Sequence, residues 1–130
     1  MTGLLLDTQL LIWAAYTPNR LSSSLAAELV DRRNDIRYSL VSLWEVAIKA
    51  SLGREDFQVD PSALRRGLLR EGFQELPIEV EHVLAVRHLP LIHRDPFDRL
   101  LVAQALQEHL HLLTTDKTLM GYGEAVQWAG

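Results

Sequence analysis

The chain has 130 residues, of which 48% are hydrophobic and 23% charged, the composition of a folded domain and not of a disordered segment. Its 13 basic and 17 acidic residues leave a formal net charge of −4, which excludes the uniformly basic domain that holds nucleic acid by charge alone. The absence of cysteine excludes a disulfide framework, a cysteine-ligated zinc or iron–sulfur centre and a thiol nucleophile.

The length corresponds to a single domain spanning residues 1–130. Surface scaling gives about 7,000 Å² accessible when folded against about 21,000 Å² when extended, so a core can form without staples. The longest unbroken apolar run, Leu10 to Tyr16, is seven residues. A membrane-spanning helix needs about 20. No basic leader precedes Leu4, so a cleaved signal peptide is not expected and a cytoplasmic location is.

In chain order, apolar runs alternate with helical patterns, which predicts an α/β domain with a mainly parallel sheet. Gly3 to Leu6 reads as a short buried strand and Thr8 to Tyr16 as a helix ended by Thr17-Pro18-Asn19. Leu25, Leu29 and Val30 give the next helix its apolar face. Ile36 to Val41 reads as a second strand. Ser42-Leu43-Trp44-Glu45 then has the spacing of a capping box, with Gly53 as the stop.

Asp60-Pro61 opens a further helix that ends near Gly72. Gln74 to Ile78 reads as a strand and Glu79 to Leu89 as a helix. Asp95-Pro96 repeats the helix-start signature, and Phe97, Leu100, Leu101 and Ala105 follow at helical spacing. Leu112 to Thr115 reads as a strand ending at Asp116. A helical turn and a last strand near Val126 to Trp128 finish the chain.

Four acids hold comparable places in this layout. Asp7 closes the first strand, Glu45 lies in the first turn of the helix after the second, Asp98 lies in the first turn after Asp95-Pro96, and Asp116 closes the Leu112 strand. In open parallel sheets, ligands bind outside the carboxyl ends of the strands, and all four acids fall on that edge. Each also has a local alternative as a helix cap or first-turn acid.

Convergence would be costly. Four carboxylates about 6 Å apart at an effective dielectric near 20 repel by about 2.8 kcal/mol per pair and about 17 kcal/mol together. Such a cluster must take up protons, spread apart or bind hard divalent cations such as Mg²⁺ or Mn²⁺. Without these four, the chain has equal numbers of acids and bases.

The segments Leu4-Leu5-Leu6-Asp7-Thr8, Val41-Ser42-Leu43-Trp44-Glu45-Val46-Ala47-Ile48-Lys49, Leu76-Pro77-Ile78, His93-Arg94-Asp95-Pro96-Phe97-Asp98-Arg99-Leu100-Leu101 and Leu113-Thr114-Thr115-Asp116 occur in this order. Together they resemble the PIN-domain ribonucleases, specifically VapC-like toxins of type II toxin–antitoxin pairs. The resemblance runs almost end to end and implies a three-layer α/β/α sandwich with a short, mainly parallel sheet. It places the family's acids on Asp7, Glu45, Asp98 and Asp116, and its Ser/Thr on Thr114 in preference to Thr115.

It also implies one or two Mg²⁺ or Mn²⁺ ions and metal-assisted endonucleolytic hydrolysis of RNA that leaves a 5′-phosphate. Asp7 and Asp98 are expected as direct ligands and Asp116 as a ligand through water. Glu45 is expected to orient the attacking water or bind a second ion. The implied partners are RNA, a cognate antitoxin and a second copy of the chain.

Other residues carry two readings each. Asp95 is a helix cap or a rim acid. Lys49 is an ordinary i,i+4 partner of Glu45 or a restraint on it. Arg99 is a solvated residue or a phosphate contact. Thr8 caps the first helix or holds a site water. His93 reads as a turn hydrogen-bond former, Trp13 and Trp44 as core or interface with base stacking the lesser reading, and Arg65-Arg66 to Arg70 as a solvated face or a contact for RNA backbone or the acidic part of a partner.

A non-catalytic RNA-binding or assembly module is the alternative function, against which the four intact acids argue. A phospho-acceptor receiver is disfavoured because Leu6-Asp7-Thr8 lacks its paired acids. A haloacid-dehalogenase-type phosphatase is disfavoured because position 9 is Gln9.

Overall fold

Alternation along the first strand sets the layers. Leu4 and Leu6 join one buried cluster and Leu5 the other, as a period of two requires. The computed structural model describes residues 3–130. Its strands are β1 (Gly3–Leu6), β2 (Asp35–Ser39), β3 (Gln74–Leu76), β4 (His111–Thr114) and β5 (Val126–Trp128). They form one sheet in the order β3-β2-β1-β4-β5, with every pairing parallel. Leu4, Leu5 and Leu6 are all buried because the sheet is covered on both faces.

The helices are α1 (Thr8–Tyr16), α2 (Ser23–Val30), α3 (Leu40–Ser51), α4 (Pro61–Arg70), α5 (Val80–Ala85) and α6 (Pro96–Glu108). Leu10 and Leu11 of α1, Leu25 of α2, and Leu64 and Leu68 of α4 pack with Leu4, Leu6, Ile36, Tyr38 and Leu113. Leu101, Val102 and Ala105 of α6 pack with Leu5, Leu112, Leu76 and Val126 on the opposite face. Helix α3 touches both layers, sending Val41 to the α6 cluster and Val46 to the α1 cluster. The result is the expected α/β/α sandwich. Truncating a leucine as enclosed as Leu5 or Leu11 to alanine costs about 2–5 kcal/mol.

Several predicted boundaries move. The second strand stops at Ser39, where Ile36 to Val41 was expected, and α3 starts at Leu40. Its cap is Ser39, whose hydroxyl accepts the Val41 N–H at 2.9 Å. Ser42 is therefore inside the helix, and Glu45 lies in the second turn rather than closing a capping box. The predicted Glu79 to Leu89 helix is shorter: α5 ends at Ala85 and passes into a 3₁₀ turn, Val86–His88. Gly53 does follow the α3 end at φ +66°, a left-handed position that glycine takes without Cβ strain. Asp60 and Asp95 cap α4 and α6, each followed by proline. Among the described residues no helix is long and apolar enough to cross a membrane.

Candidate functional site

The strand order reverses between β1 and β4. At such a point the connections leave in opposite directions and open a crevice at the carboxyl edge. Asp7 follows β1 directly and Asp116 lies just beyond β4. The first turn of α6 contributes Asp98, and the second turn of α3 contributes Glu45. These four acids line one cavity of about 450 Å³, together with Thr8, Gln9, Ile12, Lys49, Thr115 and Lys117.

Capping and convergence prove compatible. Asp7 caps α1, its Oδ1 accepting the Leu10 N–H at 2.9 Å, while its Oδ2 accepts the Thr114 hydroxyl at 2.5 Å. Thr114 Oγ1 in turn accepts the Asp116 N–H at 2.9 Å, so one buried threonine ties the ends of β1 and β4 together. Asp116 Oδ1 accepts the Thr118 N–H at 3.0 Å, and its Oδ2 lies 2.9 Å from His93 Nε2. Each carboxylate oxygen has two lone pairs, so these bonds leave acceptor capacity facing the cavity.

The electrostatics are unbalanced. Burial pushes the Asp98 carboxyl up to about 7, aided by the charges of Asp95, Glu45 and Asp7 and opposed by His93. Burial also raises Asp7; the bonds from Thr114 and Leu10 pull it back, and Asp116 and Glu45 add to the rise. Asp116 ends below the usual range, because hydrogen bonds from His93 and Thr118 outweigh its burial. Among the described residues, Lys49 is the one lysine or arginine paired with any of the four, holding Glu45 at 3.0 Å. Carboxylate oxygens in excess of nearby cations suit a hard divalent ion. A carboxylate oxygen of Asp98 and one of Asp116 lie within 4.8 Å of each other, with a His93 ring nitrogen as near to both. The residues therefore fit such an ion.

The remaining predicted residues fall in different places. Thr114, not Thr115, is the buried threonine bonded to Asp7; Thr115 lines the cavity. Thr8 does not cap α1, since Asp7 does; its hydroxyl donates to Ser42 Oγ at 3.0 Å and ties α1 to α3. Asp95 is the α6 cap, accepting the Phe97 and Asp98 N–H groups at 2.8 and 3.2 Å.

Arg99 does not offer its charge to the cavity. Its guanidinium donates to the carbonyls of Pro90, His93 and Val86 and to the Tyr122 hydroxyl. A residue adjacent to Asp98 on a helix points about 100° away from it, and these bonds give Arg99 a structural role that neither of its two sequence readings named. Arg65 pairs with Glu75 at 2.6 Å. Trp13 packs against the core, while Trp44 is 53% exposed and meets Phe97 edge-on at 4.8 Å.

One residue and one contact escape the sequence reading. Lys117 lines the cavity, and its place directly after the strand-end acid was the available signal. His93 makes the expected turn bond, its Nδ1 accepting the Asp95 N–H at 3.0 Å. Its Nε2 contact with Asp116 spans 23 positions and has no local signature.

No curated protein matches the sequence. Among solved structures, a chain of VapBC2 from Rickettsia felis, bound to a DNA fragment from its promoter, superposes with a TM-score of 0.75 at 14% identity, covering 98% of each chain. A chain of DNA-bound VapBC from Salmonella typhimurium gives 0.71 at 14% identity with 100% of each chain covered. VapBC-1 from nontypeable Haemophilus influenzae gives 0.64 at 17% identity, covering 98% of this chain and 96% of that one. These likenesses establish the shared fold. The PIN domain family model matches residues 4–123, nearly the whole cavity-bearing chain, and the protein belongs to the PIN domain family.

Proposed function

We propose that the protein is a metal-dependent endoribonuclease, the toxin of a toxin–antitoxin pair held inactive by a cognate antitoxin. The observation that carries this reading is the convergence of Asp7, Glu45, Asp98 and Asp116 on one cavity at the β1/β4 crevice. The similar solved structures, VapBC toxin–antitoxin complexes, support the biological setting.

Asp7, Asp98 and Asp116 would hold one or two Mg²⁺ or Mn²⁺ ions. Bound there, the cation would supply the charge that activates water and steadies the scissile phosphate and leaving oxygen. Glu45, restrained by Lys49, orients the attacking water on the α3 side. Thr114 fixes the Asp7 carboxylate, and Lys117 meets the RNA backbone at the cavity rim. Water adds to phosphorus as the 3′-oxygen leaves, giving a 5′-phosphate and a 3′-hydroxyl. The antitoxin closes the cavity with a basic side chain that replaces the cation's charge. Apolar side chains exposed on α3 and α5, including Trp44, Ile48, Val80 and Leu84, provide the surface for a homodimer.

The test is cleavage of a pool of structured RNAs with Mg²⁺, Mn²⁺ or EDTA, comparing the wild type with Asp98→Asn. Discrete metal-dependent cuts with 5′-phosphate ends, lost in the variant, are expected. Cleavage that persists in EDTA or in Asp98→Asn would overturn the assignment.

A further inference from the structure

We infer that His93 is a positioning residue of the acidic site, holding Asp116 in register with Asp98 through a fixed imidazole tautomer; this rests on the metal-site reading above. Three ties settle the ring's segment. The His93 N–H donates to the Tyr122 hydroxyl at 3.0 Å, and the His93 carbonyl accepts from Arg99 at 3.4 Å. On the ring, Nδ1 accepts the Asp95 backbone N–H at 3.0 Å.

That last bond decides the chemistry. A nitrogen that accepts a backbone N–H carries no proton, so the neutral ring's proton resides on Nε2. Nε2 lies 2.9 Å from Asp116 Oδ2 and 3.5 Å from Asp98 Oδ2. It therefore donates to Asp116, with Asp98 beside it.

Asp116 needs this support. It is the most open member of the trio, its side chain 41% exposed against 21% for Asp98 and 18% for His93. It stands on the segment after β4, while Asp98 is fixed on the first turn of α6. The His93 ring ties the segment after β4, through Asp116, to the turn that caps α6, through the Asp95 N–H.

The same tautomer keeps His93 from ligating the ion itself. Coordination through Nε2 would move the proton to Nδ1 and set it against the Asp95 N–H, breaking the turn that caps α6. The donor set facing the ion is then oxygen only, with the imidazole behind it. Hydrogen-bond partners of metal ligands commonly contribute 10–100-fold to affinity.

The experiment is Mn²⁺ titration of the full chain by electron paramagnetic resonance, comparing the wild type with His93→Ala and His93→Gln. Spin-echo modulation on ¹⁵N-labelled protein reads directly bound nitrogen. Long-range ¹H–¹⁵N correlation reads the His93 tautomer with and without Mg²⁺. His93→Ala is expected to weaken Mn²⁺ about 10–100-fold while the protein stays folded. His93→Gln, which keeps an N–H donor at the end of a similar reach, is expected to recover most of the affinity. The Nε2–H tautomer should persist in both states, with no nitrogen bound to Mn²⁺.

Equal affinity in wild type and His93→Ala would overturn the positioning role and leave the metal site standing. Nitrogen coordination from His93 would overturn it in favour of direct ligation. Absence of Mn²⁺ binding in the wild type would overturn the metal site and this role together.

Discussion

Two groups of buried polar residues sit on the same carboxyl edge of the sheet, and they are built on opposite principles. Beyond β2 and β3, Ser39 donates to Gln104 Oε1 at 2.5 Å, and Gln104 Nε2 donates to the Pro77 carbonyl and His82 Nδ1, both at 3.2 Å. His82 Nδ1 also accepts the Glu79 N–H at 3.0 Å, and its Nε2 meets Glu108 at 2.8 Å. Ser39, His82 and Gln104 are fully buried, and each finds partners for its polar atoms. Beyond β1 and β4, by contrast, carboxylates crowd together, with Asp98 pushed up to about 7 and Asp7 also raised. A complete network specifies structure, whereas crowded carboxylates with raised pKa values mark a candidate site.

The largest effect that could break this contrast is at the acidic end. Asp98→Asn keeps the shape but removes a charge, and RNA cleavage should fall about 10³-fold, or about 4 kcal/mol in barrier. In EDTA near pH 7.5 the same variant should melt no lower than the wild type, because it relieves repulsion. A variant that lost both activity and stability would make Asp98 a structural residue like Gln104.

The opposite outcome is expected across the sheet edge. Gln104→Ala leaves Ser39 and His82 without their partner and opens a cavity, costing about 3 kcal/mol. That lowers the melting temperature by roughly 10 °C in a chain of this size. Activity per folded molecule should stay near the wild-type value. If cleavage collapsed while the melting temperature held, the network would belong to the site.

A pH series sharpens the contrast further. Asp98 ionises near 7 when folded and near 4 when unfolded. Between these values the folded state binds more protons, so stability falls as pH rises and then levels off above 7. Asp7 shifts in the same direction. Asp116 shifts the other way, and its contribution is lost only as acid protonates it below its ordinary range. In EDTA the loss from pH 5 to pH 8 should be about 1 kcal/mol, roughly half of what the shift would give over that window, because solvent still reaches Asp98. Mn²⁺ should remove most of that loss and release protons on binding. Asp98→Asn should flatten the profile; an unchanged slope would place the titration elsewhere.

How far the sequence went depends on where each residue's partners lie. Asp7, Asp98 and Asp116 were legible because strand ends and Asp-Pro helix starts are local signals. Glu45 was legible as a residue but not in its setting. Ser39 and Ser42 are both competent caps, and the apolar stretch up to Val41 suits a strand as well as a helix. Val41 is buried in the α6 layer, and Ser39 bonds to Gln104, 65 positions away. Those distant contacts favour Ser39 as the cap and shift α3 by about one turn. The bonds of Arg99 were not legible because its acceptors Pro90, Val86 and Tyr122 lie 9, 13 and 23 positions away. The parallel sense of the sheet followed from the alternation of runs, since strands joined by crossover helices pair in parallel, whereas the strand order came only from the structure.

The smallest effect concerns the far end of α6, where the chain takes a conformation unrelated to the acids. His109 closes the helix at φ 55°, ψ 44°, the one described non-glycine residue with positive φ. Its N–H still donates to the Ala105 carbonyl, so the turn is a normal left-handed helix end carried by a residue with a Cβ. The side chain is exposed, and glycine would keep the backbone bond while removing the clash. Glycine also gives the unfolded chain more freedom, which offsets part of the gain. The net expectation for His109→Gly is about 0.5–1 kcal/mol of added stability, read as a rise of a few degrees in melting temperature. Thirteen helical residues separate this turn from the α6 cap, about 20 Å along the axis. RNA cleavage and Mn²⁺ affinity should therefore not change. A variant that gained stability and lost cleavage would show that α6 transmits strain from its carboxyl end to Asp98, and the two polar regions would no longer be independent.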